Sequence, residues 1–490
     1  MDRATSSPQG TPPRGPSPHT GPDPQPHPGP PTPRGADLVA ATAYTQTIRH
    51  FFPDLSEWLD NLPDSRDQSV ITYSTRFLAW VGIFLFLVQA GSRRKLKTIL
   101  DSNYPHALDN LNRLAGTQHS TLPAHDTLHY FLKHTTPGAL ADLRRQMVHR
   151  LIRMKTLDHA RLLGRAVVLV DGTGLYTFRA RHCDACLERK GKTTTTYQHH
   201  ALEAKVVGPA GVVVSIATAF IENADANRQL TGDALKQDCE LTAFHRLAGQ
   251  LKADFPQLAI VLGGDALFAC GSVFQTARAN GWSYVFTFKS GRLPSVWSEF
   301  ERLKPLCPEN SRTLRTPTNH VQVYRWVRDL SYVDDQNRTW TFHAVECTET
   351  SPSGAAQHFA WITDLPVTAE NVIAIATKGG RARWMIENEA FNRQKNHGPN
   401  LEHAYSTDPE VWKAYYYLLQ IAFILTQLVE RGSLLRQLAN ELGIPPRALF
   451  GSLTNIVTRL REAFRLLHWP DECFDETAAR RRRIKLADTS

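Results

Sequence analysis

Two rhythms of apolar residues divide the chain. Between residues 36 and 165 apolar side chains recur at three- and four-residue spacing with little β-branched alternation, which predicts helices. Leu128–Leu132 and Leu140–Met154 are typical. At Ala166 the rhythm changes. Ala166–Val170 (AVVLV) is short and wholly apolar, as for a strand covered on both faces. Strands are predicted next at Ala204–Val207 and Val212–Phe220, joined by the turn signal Gly208-Pro209-Ala210-Gly211. Helical spacing follows over Asp233–Asp254, then a buried strand at Leu258–Leu262 (LAIVL), a helix at Ser272–Ala279 and a third buried strand at Tyr284–Phe288.

Residues 297–364 alternate instead, with strands predicted at Val321–Val327, Trp340–Glu346 and His358–Thr363 and turns at Asp334–Asn337 and Ser351–Gly354. Helix returns near Asn371–Lys378 and across Arg381–Asn396. Asp408-Pro409 reads as an N-cap and a first-turn proline opening a long helix to about Arg431. The order strand, strand, strand, helix, strand, helix, strand is that of the RNase H-like fold, an α/β mixed sheet flanked by helices. The expected organisation is a disordered leader over 1–35, a helical N-terminal region over 36–165, a first core segment over 166–296, a β-rich insertion over 297–364, the rest of the core with the last catalytic helix over 365–431, and a helical C-terminal region over 432–490.

Composition sharpens this picture at three points. Twelve of the 30 prolines fall in residues 1–34, so the leader cannot bury a core. Phe77–Ala90 (FLAWVGIFLFLVQA) is the strongest apolar run, but it is shorter than the roughly 20 residues a bilayer span needs. We read it as a buried helix and the chain as lacking a membrane span. The 56 Lys and Arg against 47 Asp and Glu leave a formal charge of +9, which favours polyanionic partners, nucleic acid first. Seven scattered cysteines fit a reducing cytoplasm rather than a disulfide scaffold, and the N-terminus has no apolar core of a secretory signal.

The candidate chemistry is acidic. Asp171 directly follows AVVLV, and Asp265 follows LAIVL after Gly263-Gly264. Both therefore lie at the carboxyl end of a buried strand, where open α/β sheets place their crevices. In the expected topology these two strands are neighbours. Paired carboxylates repel unless a divalent cation compensates. In a helix over Arg381–Asn396, Arg383, Glu387 and Gln394 would share a face, with Ile386, Phe391 and Trp384 as anchors to the sheet. Glu387 would then be the third acid. Ligation by oxygen alone selects Mg2+ or Mn2+, and two such ions suit in-line attack at phosphorus.

These stretches, VDGTG, LGGDALF and RWMIENEAFNRQKN, resemble the DDE transposases of bacterial insertion sequences. So do HCDACLERK (182–190), LEAKVVG (202–208), KQDCELTAFHRL (236–247) and NLEHAYS (400–406), and the resemblance covers roughly residues 120–430. It implies a metal-binding triad of Asp171, Asp265 and Glu387, with the 122 residues from Asp265 to Glu387 holding a β-rich insertion. It further implies cleavage at the element's ends, transfer of the 3′-hydroxyl into target DNA, a homodimer on paired ends bearing terminal inverted repeats, and a cytoplasmic, nucleoid-associated bacterial protein. Residues 36–165 would read the terminal repeats. The family's signature is Y-x2-R-x3-E-x6-K. Here Arg383 and Glu387 match it, Gly380 stands at the Tyr position, and Gln394 stands at the Lys position with Lys395 one residue later. That spacing leaves Glu389 as an alternative acid. Arg383 would clamp a DNA phosphate, and Lys395 and Lys289 would contact backbone. A structure-specific nuclease on the same core and a catalytically inactive DNA-binding regulator are the rival readings.

Other constellations carry less. Cys183-x2-Cys186, with His182 before it and His199-His200 after, has half the spacing of a zinc site. Reduced cysteines in a loop are the reading preferred at this point, and structural Zn2+ on Cys183, Cys186 and His199 is the alternative. Arg189–Tyr197 (RKGKTTTTY) is a basic loop that could line DNA. Trp297, Trp326 and Trp340 are read as core residues, with base stacking as the alternative. The basic stripe Arg144, Arg145, Arg150, Arg153 and Lys155 is read as a solvated face. No Walker loop, nucleophile elbow or H-E-x-x-H occurs, which argues against an NTPase, an α/β-hydrolase and a zinc protease.

Overall fold

β1 (Ala166–Phe178) begins with the AVVLV run and organises everything around it. Its side chains alternate between two cores. Val168 and Val170 enter one, while Val167 and Leu169 enter the other on the opposite face. In this computed structural model the described residues are 33–101, 103–223 and 238–486. Most of the expected leader and the start of the helix expected from Asp233 lie outside them. The leader boundary itself shifts, because Pro33 already opens the first helix, where a missing N–H costs nothing.

The N-terminal helices are α1 (Pro33–Phe51), α2 (Leu55–Asp60), α3 (Thr75–Leu87), α4 (Arg93–Ile99), α5 (Ala107–Ala115), α6 (His125–Lys133) and α7 (Pro137–Arg153). The apolar run read as a buried helix is α3, capped by Ser74 and buried from Phe77 to Leu87. β2 (Leu187–Lys190), β3 (Thr195–Val207) and β4 (Val213–Ile221) follow β1, then α8 (Glu240–Asp254), β5 (Ile260–Gly264), α9 (Gly271–Asn280), β6 (Ser283–Thr287) and α10 (Pro294–Leu303). β7 (Ser311–Arg315), β8 (Val321–Val333), β9 (Thr339–Thr350) and β10 (Ala356–Thr363) complete the strands.

All ten strands form one mixed sheet in the order β2-β3-β1-β5-β6-β10-β9-β8-β7, with β4 also paired to β3. β1 runs antiparallel to β3 and parallel to β5, and β5 is parallel to β6. The strands expected as an insertion do not stand apart. β10 pairs with β6, Trp361 opposite Thr287 and Ile362 opposite Phe286, so β7 to β10 prolong the central sheet. Pairing there satisfies the N–H and C=O groups that an open β6 edge would leave bare.

Beyond β10 come three short α segments, α11 (Val372–Ala374), α12 (Arg383–Met385) and α13 (Arg393–Asn396), joined by wide π-turns over Ile375–Gly380 and Ile386–Asn392. This run covers the sheet face made by Val167, Leu169, Val261 and Val285, into which Ile375 and Ile386 insert. α14 (Pro409–Arg431) starts as expected, with the Asp408 carboxylate accepting from the N–H groups of Glu410 and Val411. α15 (Leu434–Glu441), α16 (Pro446–Leu449), α17 (Leu453–Leu466) and α18 (Glu476–Arg481) end the chain. These last helices pack on the first ones. Thr45 donates to the Cys473 carbonyl at 2.6 Å, Arg459 pairs with Asp37 at 3.1 Å, and Asn110 donates to the Phe464 carbonyl at 2.9 Å. The first and last helical regions of the chain are thus in contact with each other. Among the described residues no helix is long and apolar enough to cross a membrane.

Candidate active site

Register brings the two aspartates together. Leu169 of β1 lies opposite Gly263 of β5, and Asp171 and Asp265 each come two residues later. Asp265 caps the short turn that follows β5, its Oδ1 accepting from Leu267 N–H at 2.8 Å. Asp171 Oδ2 stands 3.9 Å from Arg383 Nη1, and the same guanidinium donates to both oxygens of Glu387, at 2.6 and 3.4 Å. Three segments far apart in sequence therefore converge.

A fourth acid joins them. Glu240, the first residue of α8, lies against the backbone of Gly172, where any Cβ would run into its carboxylate. The absence of a side chain at 172 is what leaves room for the Glu240 carboxylate there. Glu240 was not among the acids picked out from the sequence, although it sits inside the KQDCELTAFHRL stretch. An acid directly after Cys239, at a helix start, reads as an ordinary first-turn residue until α8 is placed in three dimensions.

The crowding shows in the protonation equilibria. Burial pushes the Asp171 carboxyl up to about 7, reinforced by Glu387, opposed by Arg383, and raised further by Glu240 and Asp265. Burial and then Asp265 also raise Glu240. Burial works against the charge of Arg383, but its pairing with Glu387 and the nearby Asp171 and Asp265 outweigh that and hold it protonated. One guanidinium faces three carboxyl groups, with Glu240 a fourth beside Asp171 and Asp265. Such a set is all oxygen and short of positive charge, the donor chemistry that hard divalent cations prefer, but among the described residues its carboxylates do not draw together as closely as the ligand atoms of His182, Cys183, Cys186 and His199 do.

The helical run departs from the expected geometry at two residues. Gln394 does not share the face of Glu387; it is buried and donates to Gln420 of α14 at 2.9 Å. The π-turn over Ile386–Asn392 holds more residues per turn than an α-helix, so positions beyond it are rotated off the expected face. Arg383 and Glu387 span less of that turn and stay in contact. Ile386 and Phe391 anchor the run, but Trp384 does not: it is 48% exposed. Glu389 pairs with Arg393 at 3.3 Å and Arg431 at 2.9 Å, so its charge is already compensated on another side of the run.

The cations expected to meet DNA fall in two places. Lys395 pairs with Glu402 at 2.9 Å, and its charge, with that of Arg189, helps hold the half-buried His200 neutral after burial has lowered its pKa. Lys289 lines an open groove of about 650 Å³ that begins at Ala266, beside Asp265, and also contains Arg292, Trp297 and His358. Trp297 is stacked at a tilt on Phe288, 4.8 Å between centroids, and stays partly open to this groove. Trp326 and Trp340 are buried, and Trp340 donates to Asp334 at 2.8 Å.

The basic stripe of α7 is not a solvated face throughout. Arg144 is buried and donates to Ser215 at 2.8 Å and to Thr218, 3.9 Å from Glu203. Arg150 donates to the Phe51 carbonyl at 2.7 Å, leaving Arg153 and Lys155 exposed. Arg144 belongs to a buried ionic network that apolar periodicity does not reveal. Glu203, opposite Asp171 across β1 and β3, pairs with Lys205 at 3.0 Å and accepts from Tyr416 at 2.7 Å. Lys205 in turn donates to Gln420 at 3.0 Å. Burial alone would raise the Glu203 pKa, but Lys205 and Arg144 more than offset it, keeping the carboxylate ionised. At the far end of β1, His182, Cys183, Cys186 and His199 draw together, a point taken up below.

No model of a known protein family matches this chain, and no curated protein does either. The site must be interpreted from its own residues.

Proposed function

We propose that this protein is a DDE-type transposase, a nuclease and strand transferase that acts on the ends of an insertion sequence. The observation that carries the reading is the convergence of Asp171, Asp265 and Glu387 around one guanidinium, with Asp171 pushed up to about 7 because so much negative charge is held in one half-buried place. The strand order β4-β3-β1-β5-β6, with the first three antiparallel and the last two parallel to β1, supports assigning the centre of the sheet to the RNase H-like fold.

In this reading Asp171, Asp265 and Glu387 bind two divalent ions, with Glu240 close enough to tune them. Mg2+ bound there would activate a water or 3′-hydroxyl and stabilise the leaving oxygen at phosphorus. Arg383, whose two Nη groups are held by Glu387, restrains the mutual repulsion of the acids, and once ions neutralise Glu387 its planar fork would suit the two non-bridging oxygens of a phosphate. Lys289 and Arg292 line the groove that leaves Asp265 and would hold DNA backbone, with Trp297 available to stack on a base. Trp384, exposed beside Arg383, offers a second stacking surface at the mouth of the site. The basic surplus supplies salt-dependent affinity for DNA, and the helices of residues 36–165 are the proposed readers of the terminal repeats in a dimer on paired ends.

The test uses the gene's own flanking DNA on a supercoiled plasmid, with Mg2+. The wild-type chain should cut at inverted repeats and, given precleaved ends, join them to target DNA. Asp265→Asn should reduce cleavage to background while end binding stays within about twofold of wild type. Cleavage that survives this substitution would refute the site. Cutting without joined product would leave a structure-specific nuclease on the same acids.

A further inference from the structure

The sulfur and nitrogen cluster lies further along the β1–β3 pair than Asp171, toward the C-terminal end of β1. His182 and Cys183 precede a tight loop, Cys186 leads into β2, and His199 sits in β3, a spacing of H-C-x2-C-x12-H. One ligating atom from each lies within 4.8 Å of every other. Cys183 Sγ is 2.9 Å from Cys186 Sγ and 3.3 Å from His199 Nε2. Cys186 Sγ is 3.4 Å from His199 Nε2 and 3.7 Å from His182 Nε2, and the two imidazole Nε2 atoms are 3.1 Å apart. A tetrahedron with zinc's bond lengths to sulfur and nitrogen has edges of about 3.3–3.8 Å. These five separations approach that size, and the four ligating atoms converge on one small volume.

The surroundings are those of a prepared site rather than of a loop that happens to hold cysteines. Backbone contacts fix the loop: Asn223, just after β4, donates to the Cys186 carbonyl at 2.7 Å, its own N–H donates to the Ala185 carbonyl at 3.2 Å, and Arg181 Nε donates to the Cys183 carbonyl at 3.2 Å. Aromatic rings wall the cluster. Trp412 of α14 lies 4.9 Å from the His199 ring and Tyr176 of β1 lies 5.1 Å from it, while Phe178 lies 4.2 Å from His182. Cys186 and His199 are buried. Without a cation, two imidazoles and two thiols would face one another in an apolar wall with few other partners. All seven cysteines are free of disulfides.

We propose that His182, Cys183, Cys186 and His199 bind one structural Zn2+. Four protein ligands leave no open position, which makes the site structural rather than catalytic, and thiolate with imidazole selects zinc over the hard cations suited to the carboxylates. This reverses the sequence-based preference for reduced cysteines and adds His182 to the three ligands named there. The ion ties the loop before β2 to β3, and so fixes the β2–β3 hairpin, whose end carries Arg189, Lys190 and Lys192. The proposal does not depend on the transposase reading, since it concerns ligands at another place and is measured without DNA.

The full chain, expressed with zinc and purified under reducing conditions, should retain about one zinc per chain after dialysis, read by elemental analysis. Cys183→Ser/Cys186→Ser should lose it. If that variant fails to fold, the wild type serves instead: zinc exchanged for Co2+ should give the intense visible bands of tetrahedral cobalt with thiolate charge transfer in the near ultraviolet. His199→Cys, which keeps a zinc ligand, should keep the metal. A wild-type chain without zinc and with seven titratable thiols would overturn the proposal, as would one with five thiols, which would mean a Cys183–Cys186 disulfide. An octahedral cobalt spectrum would overturn it as well.

Discussion

Asp171 concentrates the electrostatic problem of the site in one side chain. Its carboxyl is pushed up to about 7 by burial and by Glu387, Glu240 and Asp265, with only Arg383 opposing. A carboxyl whose folded pKa lies above its unfolded value near 3.8 binds protons more tightly when folded. Folded stability is therefore lost as pH rises from about 4 through about 7, and the full cost, about 4 kcal/mol by linkage, is present above that. Asp171→Asn removes the ionisation. In the metal-free protein it should raise the denaturation midpoint, modestly at pH 5 and most at pH 8, and added Mg2+ should stabilise the wild type but not the variant. An equal effect at both pH values would show that Asp171 does not carry this strain. In the proposed reading Glu240 stands one step further from the reacting phosphodiester. Glu240→Gln should raise the Mg2+ concentration giving half-maximal cleavage about tenfold, as expected for a group tuning a metal from just outside its ligands, while leaving the folded structure intact. No change in Mg2+ requirement would remove Glu240 from the site.

At the scale of elements, β1, β3 and the π-turned run hold the acids in place. Behind Asp171, the Glu203–Lys205 pair links β3 to α14 through Tyr416 and Gln420, and Arg144 of α7 approaches the same carboxylate. Breaking a buried ion pair by removing one partner leaves a bare charge and costs about 3–5 kcal/mol. Lys205→Met should lower the urea midpoint accordingly, and Glu203→Gln/Lys205→Met should recover much of the loss; a single variant as stable as wild type would contradict this network. The buried strands were legible because AVVLV and LAIVL are apolar throughout, and Asp171 and Asp265 stood out by following them. The long helix was legible from Asp408-Pro409. The face of Gln394 was not, because π-turns leave no mark in apolar spacing and rotate whatever follows them. Glu240, Glu203 and Lys205 were hidden for a different reason: a buried charge in the sequence looks the same as a solvated one until its partner, here Asp265 or Arg144, is placed beside it.

At the scale of the whole molecule, one sheet of ten strands carries both the acids and the groove beside them. Because β10 pairs with β6, residues 297–364 are built onto the core, and Lys289, Arg292, Trp297 and His358 form one wall leading from Asp265. The early helices and the closing ones share a layer, held by Thr45 with Cys473 and by Arg459 with Asp37. That frame fixes three remote acids relative to one another, and the account stands on their acting together. The most direct test is a titration of the DNA-bound chain with Mn2+, with free ion counted by electron paramagnetic resonance. The wild type should take up two ions per active site, and Asp171→Asn, Asp265→Asn and Glu387→Gln should each lose tight binding of at least one; variants that bind as many ions, as tightly, as the wild type would contradict the shared site.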